Sequence, residues 1–329
     1  MARQFVTLLG KDYADPSTYG VQAIGESAAI GIASVVTRDQ KSHNYANNED
    51  AAGIFDDGTV SIAMVADAHW GYVASQEAVL RFPDLFLKKQ AALIGLDIRQ
   101  VYLEAILDLC ENELVGVGQS SGVNYGYRNR ELMTDDSHSQ FYSVVRVHGK
   151  YYFVGLGDCA CAIIRNNSVT QITSQNIIYG GLGSMLSPRN YMRISPNHAS
   201  LARSAQLRYD DPLVRKGVDV QELIVTPGDV IFMCSDGYPL MNQAICSTLP
   251  GIFSRGTVEQ GVTDIMKEIV HNLRQYEDNI AICAMRVPWS QSTPCPEPTS
   301  QGGLNSGLRQ LLLSLMSDDS LKRLLKNKN

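Results

Sequence analysis

Short runs that alternate apolar and polar residues, or stay apolar over strand length between turn residues, recur along this chain and predict β-strands. The clearest are 59–65 (TVSIAMV), 142–147 (YSVVRV) and 151–157 (YYFVGLG), followed by 222–226, 230–234 and 279–287. Turn residues punctuate them. His148, Gly149 and Lys150 predict a tight hairpin; Arg165, Asn166 and Asn167 a second turn; and Pro227, Gly228 and Asp229 a third. Helical spacing is strongest over 97–115, where Ile98, Val101, Ala105, Ile106, Leu109 and Leu114 fall on one face. A helix starting near Ala74 precedes it. Another runs from Val258 to about Leu273, with the stripe Val262, Ile265, Met266, Ile269 and Leu273 and a capping box of Thr257 with Gln260.

The order is strands, two helices, strands, a long irregular section, two strands, a helix and a last strand. Helices grouped between strand runs predict an α+β protein dominated by antiparallel sheet, without the regular alternation of a parallel one. Residues 1–27 form an N-terminal segment ahead of a domain at 28–287. Within that domain, 173–220 lacks periodicity and contains Gly180, Gly181 and Gly183, which predicts an inserted, flap-like loop region. The composition of 288–307 shifts to Ser, Pro, Gln and Gly, as in a flexible linker. Beyond it, Leu308, Leu311, Leu312, Leu315, Leu321, Leu324 and Leu325 give 308–329 an amphipathic helical spacing, interrupted at Ser317 to Ser320. Docking on its own domain, binding a partner and self-association all fit that tail.

Composition narrows the function classes. The 329 residues are 44% hydrophobic and 19% charged, with a formal net charge of -6, so no basic surface for nucleic acid or anionic lipid is indicated. No apolar run reaches the roughly 18 residues of a membrane span. The first residues lack a signal-peptide pattern. Seven cysteines without a C-x-x-C pair read as small buried hydrophobes in a reducing compartment, with Cys159 and Cys161 on one face of a strand. The expectation is a cytoplasmic protein without nucleic-acid or membrane partners.

Four segments put acids beside strands or turns: Asn47-Asn48-Glu49-Asp50, Val65-Ala66-Asp67-Ala68-His69-Trp70-Gly71, Met233-Cys234-Ser235-Asp236-Gly237 and Glu277-Asp278-Asn279-Ile280. Any one such carboxylate is most simply a turn cap. If the strand ends converge, however, the acids repel one another strongly unless cations neutralise them, which points to hard divalent metals. Oxygen-only ligation favours magnesium or manganese over zinc.

The order and context of these segments resemble the metal-dependent protein serine/threonine phosphatases of type 2C. NNED resembles that family's first acidic motif and VADAHWG its Val-x-Asp-Gly-His-Gly-Gly signature. The run Phe153 to Ala160, with Asp158, resembles its Gly-Asp-Ser-Arg strand and turn. PGDVIFMCSDG resembles the late Asp-Gly strand and EDNIAI the closing Asp-Asn motif. The likeness spans about 28–287.

The resemblance implies a central β-sandwich of two antiparallel sheets flanked by helix pairs. It implies a phosphatase that hydrolyses phosphoserine and phosphothreonine in proteins by direct attack of a water shared by two Mn2+ or Mg2+ ions. By position, Asp67 would bridge the metals, Glu49 and the Ala68 carbonyl would bind one, and Asp236 and Asp278 the other. Asp158 would contact a third ion, Asp50 would orient a metal-bound water, and His69 would be the general acid. The family's phosphate-binding arginine falls on Tyr45, which carries no charge, so Lys41, His43 or Arg38 would have to assist. Ala68 and Trp70 replace glycines, and Ala68 would be strained if its φ had to be positive. A weak or inactive phosphatase-like regulatory module and a small-molecule phosphoesterase on the same fold remain as alternatives.

Overall fold

The structure, a computed structural model, describes residues 2–35, 48–69, 72–93, 95, 97–109, 125–127, 130–132, 138–156, 159–172, 184–185, 193–194, 220–240, 242–276 and 278–288. The tail 308–329 and nearly all of the linker and of the 173–220 region therefore lie outside the described residues. The strands are β1 (Gln4–Leu9), β2 (Tyr19–Ile24), β3 (Ala28–Ala33), β4 (Ala51–Asp56), β5 (Val60–His69), β6 (Tyr125–Tyr127), β7 (Arg130–Leu132), β8 (His138–Val147), β9 (Lys150–Leu156), β10 (Ala160–Arg165), β11 (Ser168–Ile172), β12 (Ser184–Met185), β13 (Arg193–Ile194), β14 (Gln221–Leu223), β15 (Val230–Cys234) and β16 (Ile280–Arg286). The helices are α1 (Val73–Ala92), α2 (Ile98–Asp108), α3 (Gln243–Cys246), α4 (Leu249–Phe253) and α5 (Val258–His271).

Two six-stranded sheets carry the fold, in the orders β1-β4-β5-β8-β9-β14 and β11-β10-β15-β16-β3-β2, and every pairing within them is antiparallel. The short pairs β6-β7 and β12-β13 form separate two-stranded sheets. Alternation along each strand sends one set of side chains between the sheets and the other set outward. Between the sheets lie Ile54, Val65, Val144 and Phe153 from the first, and Ile30, Ile231, Met233 and Cys283 from the second. The outward set of the first sheet, including Phe55, Met64 and Phe141, packs under Phe82 and Phe86 of α1 and Tyr102 of α2. Phe232, Ile280 and Ile282 of the second sheet pack under Val262, Met266 and Ile269 of α5 and Phe253 of α4. The result is a helix–sheet–sheet–helix sandwich.

Local chemistry explains the turns and caps. His148 (φ 50°) and Gly149 (φ 76°) both adopt the left-handed conformation that a two-residue hairpin needs between β8 and β9. Pro227 followed by Gly228 (φ 90°) turns the chain into β15, with the Asp229 N–H donating to the Thr226 carbonyl at 3.0 Å. Thr257 and Gln260 form the reciprocal capping box of α5. Asp97 caps α2 by accepting from the Arg99 N–H at 2.9 Å. The predicted helix over 97–115 is described only to Leu109, because 110–124 lie outside the described residues.

Three features depart from the reading of the sequence. Residues 4–9 and 19–24, assigned to a segment ahead of the domain, are outer strands of the two sheets. Strands β3 and β4 show no alternation to read, since AAIGIA is buried throughout and AAGIF is buried at every position before Asp56. Strand β5 runs on past Val65 to His69 because β8 pairs with it throughout, Asp67 opposite Gln140 and His69 opposite His138. The five described cysteines are all free thiols, four of them buried. Among the described residues, no helix is long and apolar enough to cross a membrane.

The inter-sheet layer carries much of the stability. Phe153 is fully buried in it, edge-on to Tyr142 with ring centroids 5.4 Å apart. Phe153→Ala is expected to cost about 3–5 kcal/mol in chemical denaturation, through lost burial and the cavity it leaves.

Candidate functional site

One end of the sandwich collects the acids. Asp50 stands just before β4 and Asp67 lies inside β5. Asp236 follows β15 by two residues, and Asp278 precedes β16 by two. Alternation places Asp50 in phase with Ala52, Asp67 with Val65 and Ser235 with Met233, all on the inter-sheet face. Both sheets thus deliver polar groups to the same mouth, where the apolar layer between them stops.

Ser235 ties the two sheets together there. Its hydroxyl accepts the Ala281 N–H at 2.9 Å and donates its proton to Asp50 Oδ2 at 2.7 Å, while its own N–H donates to the Ala281 carbonyl at 3.0 Å. Asn48 makes a second tie: its Nδ2 donates to the Ala33 carbonyl of β3 at 3.1 Å and its Oδ1 accepts the Asp50 N–H at 2.9 Å. Within the second sheet, the Asn279 side-chain oxygen accepts the Val35 N–H at 3.2 Å and joins the residues after β3 to those before β16. The Glu49 carbonyl accepts from Ser75 Oγ at the start of α1, and the Asp67 carbonyl accepts from Ser139 Oγ at 2.9 Å.

Two glycines let these segments come together. A Cβ on Gly10 would sit 2.3 Å from the Asn48 carbonyl oxygen, and one on Gly237 would sit 2.0 Å from the Asn279 carbonyl oxygen. Any larger residue at either position must push back the backbone that carries Glu49 and Asp50, or Asp278.

The electrostatics are those of crowded like charges. Asp50 is 2% exposed, and burial holds its carboxyl well above the usual carboxylate range. The Ser235 hydrogen bond opposes that shift, and Asp278, Asp236 and Glu49 add to it through their charges. Asp67 is 4% exposed, Glu49 and Asp278 are half-buried, and Asp236 is exposed. A donor set made only of carboxylates and backbone carbonyls suits a hard divalent cation. Among the described residues, no three His, Cys, Asp or Glu side chains converge on a single ion position.

The remaining expected site residues divide clearly. Ala68 is buried in β5 opposite Ser139, and it is not one of the residues with positive φ, so no strain attends its carbonyl. His69 ends β5. Tyr45, Lys41, His43, Arg38, Asp158 and Trp70 lie outside the described residues. Reading the sequence for charge overlooked Asn48, Ser235 and Asn279, although each stands inside an acidic motif. Gly10 carried no signal at all, because its role depends on a loop 38 residues further along the chain.

No protein-family model matches this sequence, and no curated protein matches it either. Solved structures do. A bacterial serine phosphatase bearing an arginine-to-alanine mutation matches with a TM-score of 0.50 at 15% identity, over 80% of this chain and 100% of that one. A bacterial serine phosphatase bearing an arginine-to-glutamate mutation gives 0.50 at 16% identity, over 80% and 99%. The PPM Ser-Thr phosphatase MsPP from Mycobacterium smegmatis, in complex with cacodylate, is 19% identical with a TM-score of 0.47, over 79% and 97%. At these identities the likeness is one of fold: the two-sheet sandwich with flanking helices is the architecture of the type 2C, or PPM, phosphatases.

Two outcomes follow from the packing and charge of this end. Asp50→Asn keeps an acceptor for Ser235 and removes a carboxylate that burial disfavours. A raised folded pKa costs stability as pH climbs above the unfolded value of about 3.9, and costs nothing below it. In metal-free protein, Asp50→Asn should therefore unfold at a higher temperature than wild type at neutral pH, with the difference vanishing towards pH 4. Gly237→Ala should lower the unfolding temperature, and the backbone amide NMR signals of Asp278 and Asn279 should shift more than those of β8.

Proposed function

We propose that this chain is a metal-dependent phosphatase acting on phosphoserine and phosphothreonine in proteins. The observation that carries the reading is the meeting, at one mouth of a phosphatase-type sandwich, of acids from both sheets around the buried Asp50. Glu49, Asp67, the Ala68 carbonyl, Asp236 and Asp278 would hold two Mn2+ or Mg2+ ions, and Asp158 a third. When bound, such ions supply an acidified water and positive charge opposite the phosphoryl oxygens.

The chain's own groups have distinct work in this reading. Asp67 and the Ala68 carbonyl would donate from within a paired strand rather than from a loop. Asp50, anchored by Ser235, orients water for in-line attack. His69, two residues beyond Asp67, protonates the departing serine or threonine oxygen. Tyr45, with Lys41 and His43, would take the substrate phosphate that an arginine holds elsewhere in the family. The partner is then a phosphorylated protein segment.

A regulatory module without turnover is the second reading. It is favoured by the uncharged Tyr45 and by the absence, among the described residues, of three side chains converging on one ion.

Manganese-dependent hydrolysis of an aryl phosphate and of a phosphothreonine peptide separates the two. Wild type should turn over both, and Asp67→Asn and Asp236→Asn should each lower kcat/KM on the order of 100-fold. No metal-dependent turnover of either substrate would favour the regulatory reading, and turnover of the aryl phosphate alone would leave the natural substrate open.

A further inference from the structure

At the other end of the sandwich, about 20 Å along β4 from Asp50 at the usual strand rise, the inter-sheet face changes character. Five adjacent strands of the first sheet place polar residues side by side there. Gln4 lies opposite Asp56, Asp56 opposite Ser61, Ser61 opposite Arg146, and Arg146 opposite Tyr151. The next row on the same face is wholly apolar: Val6, Ile54, Ala63, Val144 and Phe153, paired in the same order.

The polar row lines one cleft of about 460 Å³, a volume typical of small-molecule sites. Ile54 forms part of its apolar lining, and Ala28 and Met285 of the second sheet face it. Tyr151 is only 3% exposed, and among the described residues its hydroxyl has no hydrogen-bond partner. A buried hydroxyl in that condition is costly unless something supplies an acceptor. Burial raises the Tyr151 pKa, with Arg146 pulling it down and Asp56 pushing it up, so the phenol keeps its proton at neutral pH and serves as a donor. Beside it, Arg146 forms no ion pair among the described residues. The Asp56 carboxylate is turned to its own loop, accepting the Gly58 N–H at 2.8 Å.

We propose that this cleft is a second binding site, for a small organic oxyanion: one carboxylate or phosphate group on a short apolar body. Arg146 and Tyr151 donate to the oxyanion, as a guanidinium and a phenol together favour. The apolar body lies between Ile54 and Met285. Asp56, two strands from Arg146, makes the far end of the row negative, so one anionic group is accepted and a polyanion repelled. The site is separate from the acidic mouth and does not depend on the phosphatase reading.

Isothermal titration of the metal-free full-length protein with phenylacetate, phenylphosphonate and the neutral phenylacetamide tests it. At least one of the two anions should bind wild type, and the tighter of them identifies the oxyanion. The amide should bind about tenfold more weakly or worse. Arg146→Gln and Tyr151→Phe should each lose about tenfold or more, while Asp236→Asn at the opposite end should bind as wild type does. Tyr151→Phe keeps the ring, and a slight rise in its unfolding temperature would show that the fold is intact. Absence of anion binding at millimolar concentration, equal binding of the amide, unchanged affinity in both cleft variants, or loss of binding in Asp236→Asn would each overturn the proposal.

Discussion

The apolar layer shared by the two sheets is the constraint on which the rest of the structure depends. Each sheet has to bury one face, and burying it against the other sheet fixes how the strands lie. Once Met233 and Cys283 face Val65 and Val144, the residues just past those strands have no choice of neighbour. Asp50 and Ser235, 185 residues apart in the chain, come within hydrogen-bond distance because the layer beneath them is closed. The acidic mouth is the edge of the core.

That edge is held by short polar ties. The Ser235 hydroxyl, the Asn48 side-chain amide and the Asn279 side-chain oxygen each reach a backbone or carboxylate group on another segment and brace the acidic segments. Gly10 and Gly237 remove the side chains that would keep those segments apart. Against these stand the burial of Asp50, which raises its pKa most, and the charges of Asp278, Asp236 and Glu49, which add to that rise. Like charges are held close by packing and hydrogen bonds, an arrangement that cations would relieve.

The two ends of the inter-sheet layer differ in kind. One ends in carboxylates contributed by both sheets. The other ends in a row supplied by one sheet, where a guanidinium and a buried phenol outnumber the single carboxylate. Along β4, the five buried residues Ala51 to Phe55 separate Asp50 at one end from Asp56 at the other.

The sequence by itself determined the element types, the antiparallel α+β class and the four acidic motifs, because periodicity and turn chemistry are local. The hairpin at His148 and Gly149 and the capping box at Thr257 are legible for the same reason. Strands β3 and β4 were not, since burial on both faces erases alternation, and β1 and β2 gain their meaning only from partners far along the chain. Asp67 reads as a residue past a strand end; β8 makes it part of the strand. Only the tertiary structure decided that Ser235 holds Asp50, that Gly10 underlies Glu49, and that Gln4, Asp56, Ser61, Arg146 and Tyr151 form one row. Each of those facts is a matter of register between distant strands, and register is set by which faces are buried together, not by any residue's immediate neighbours.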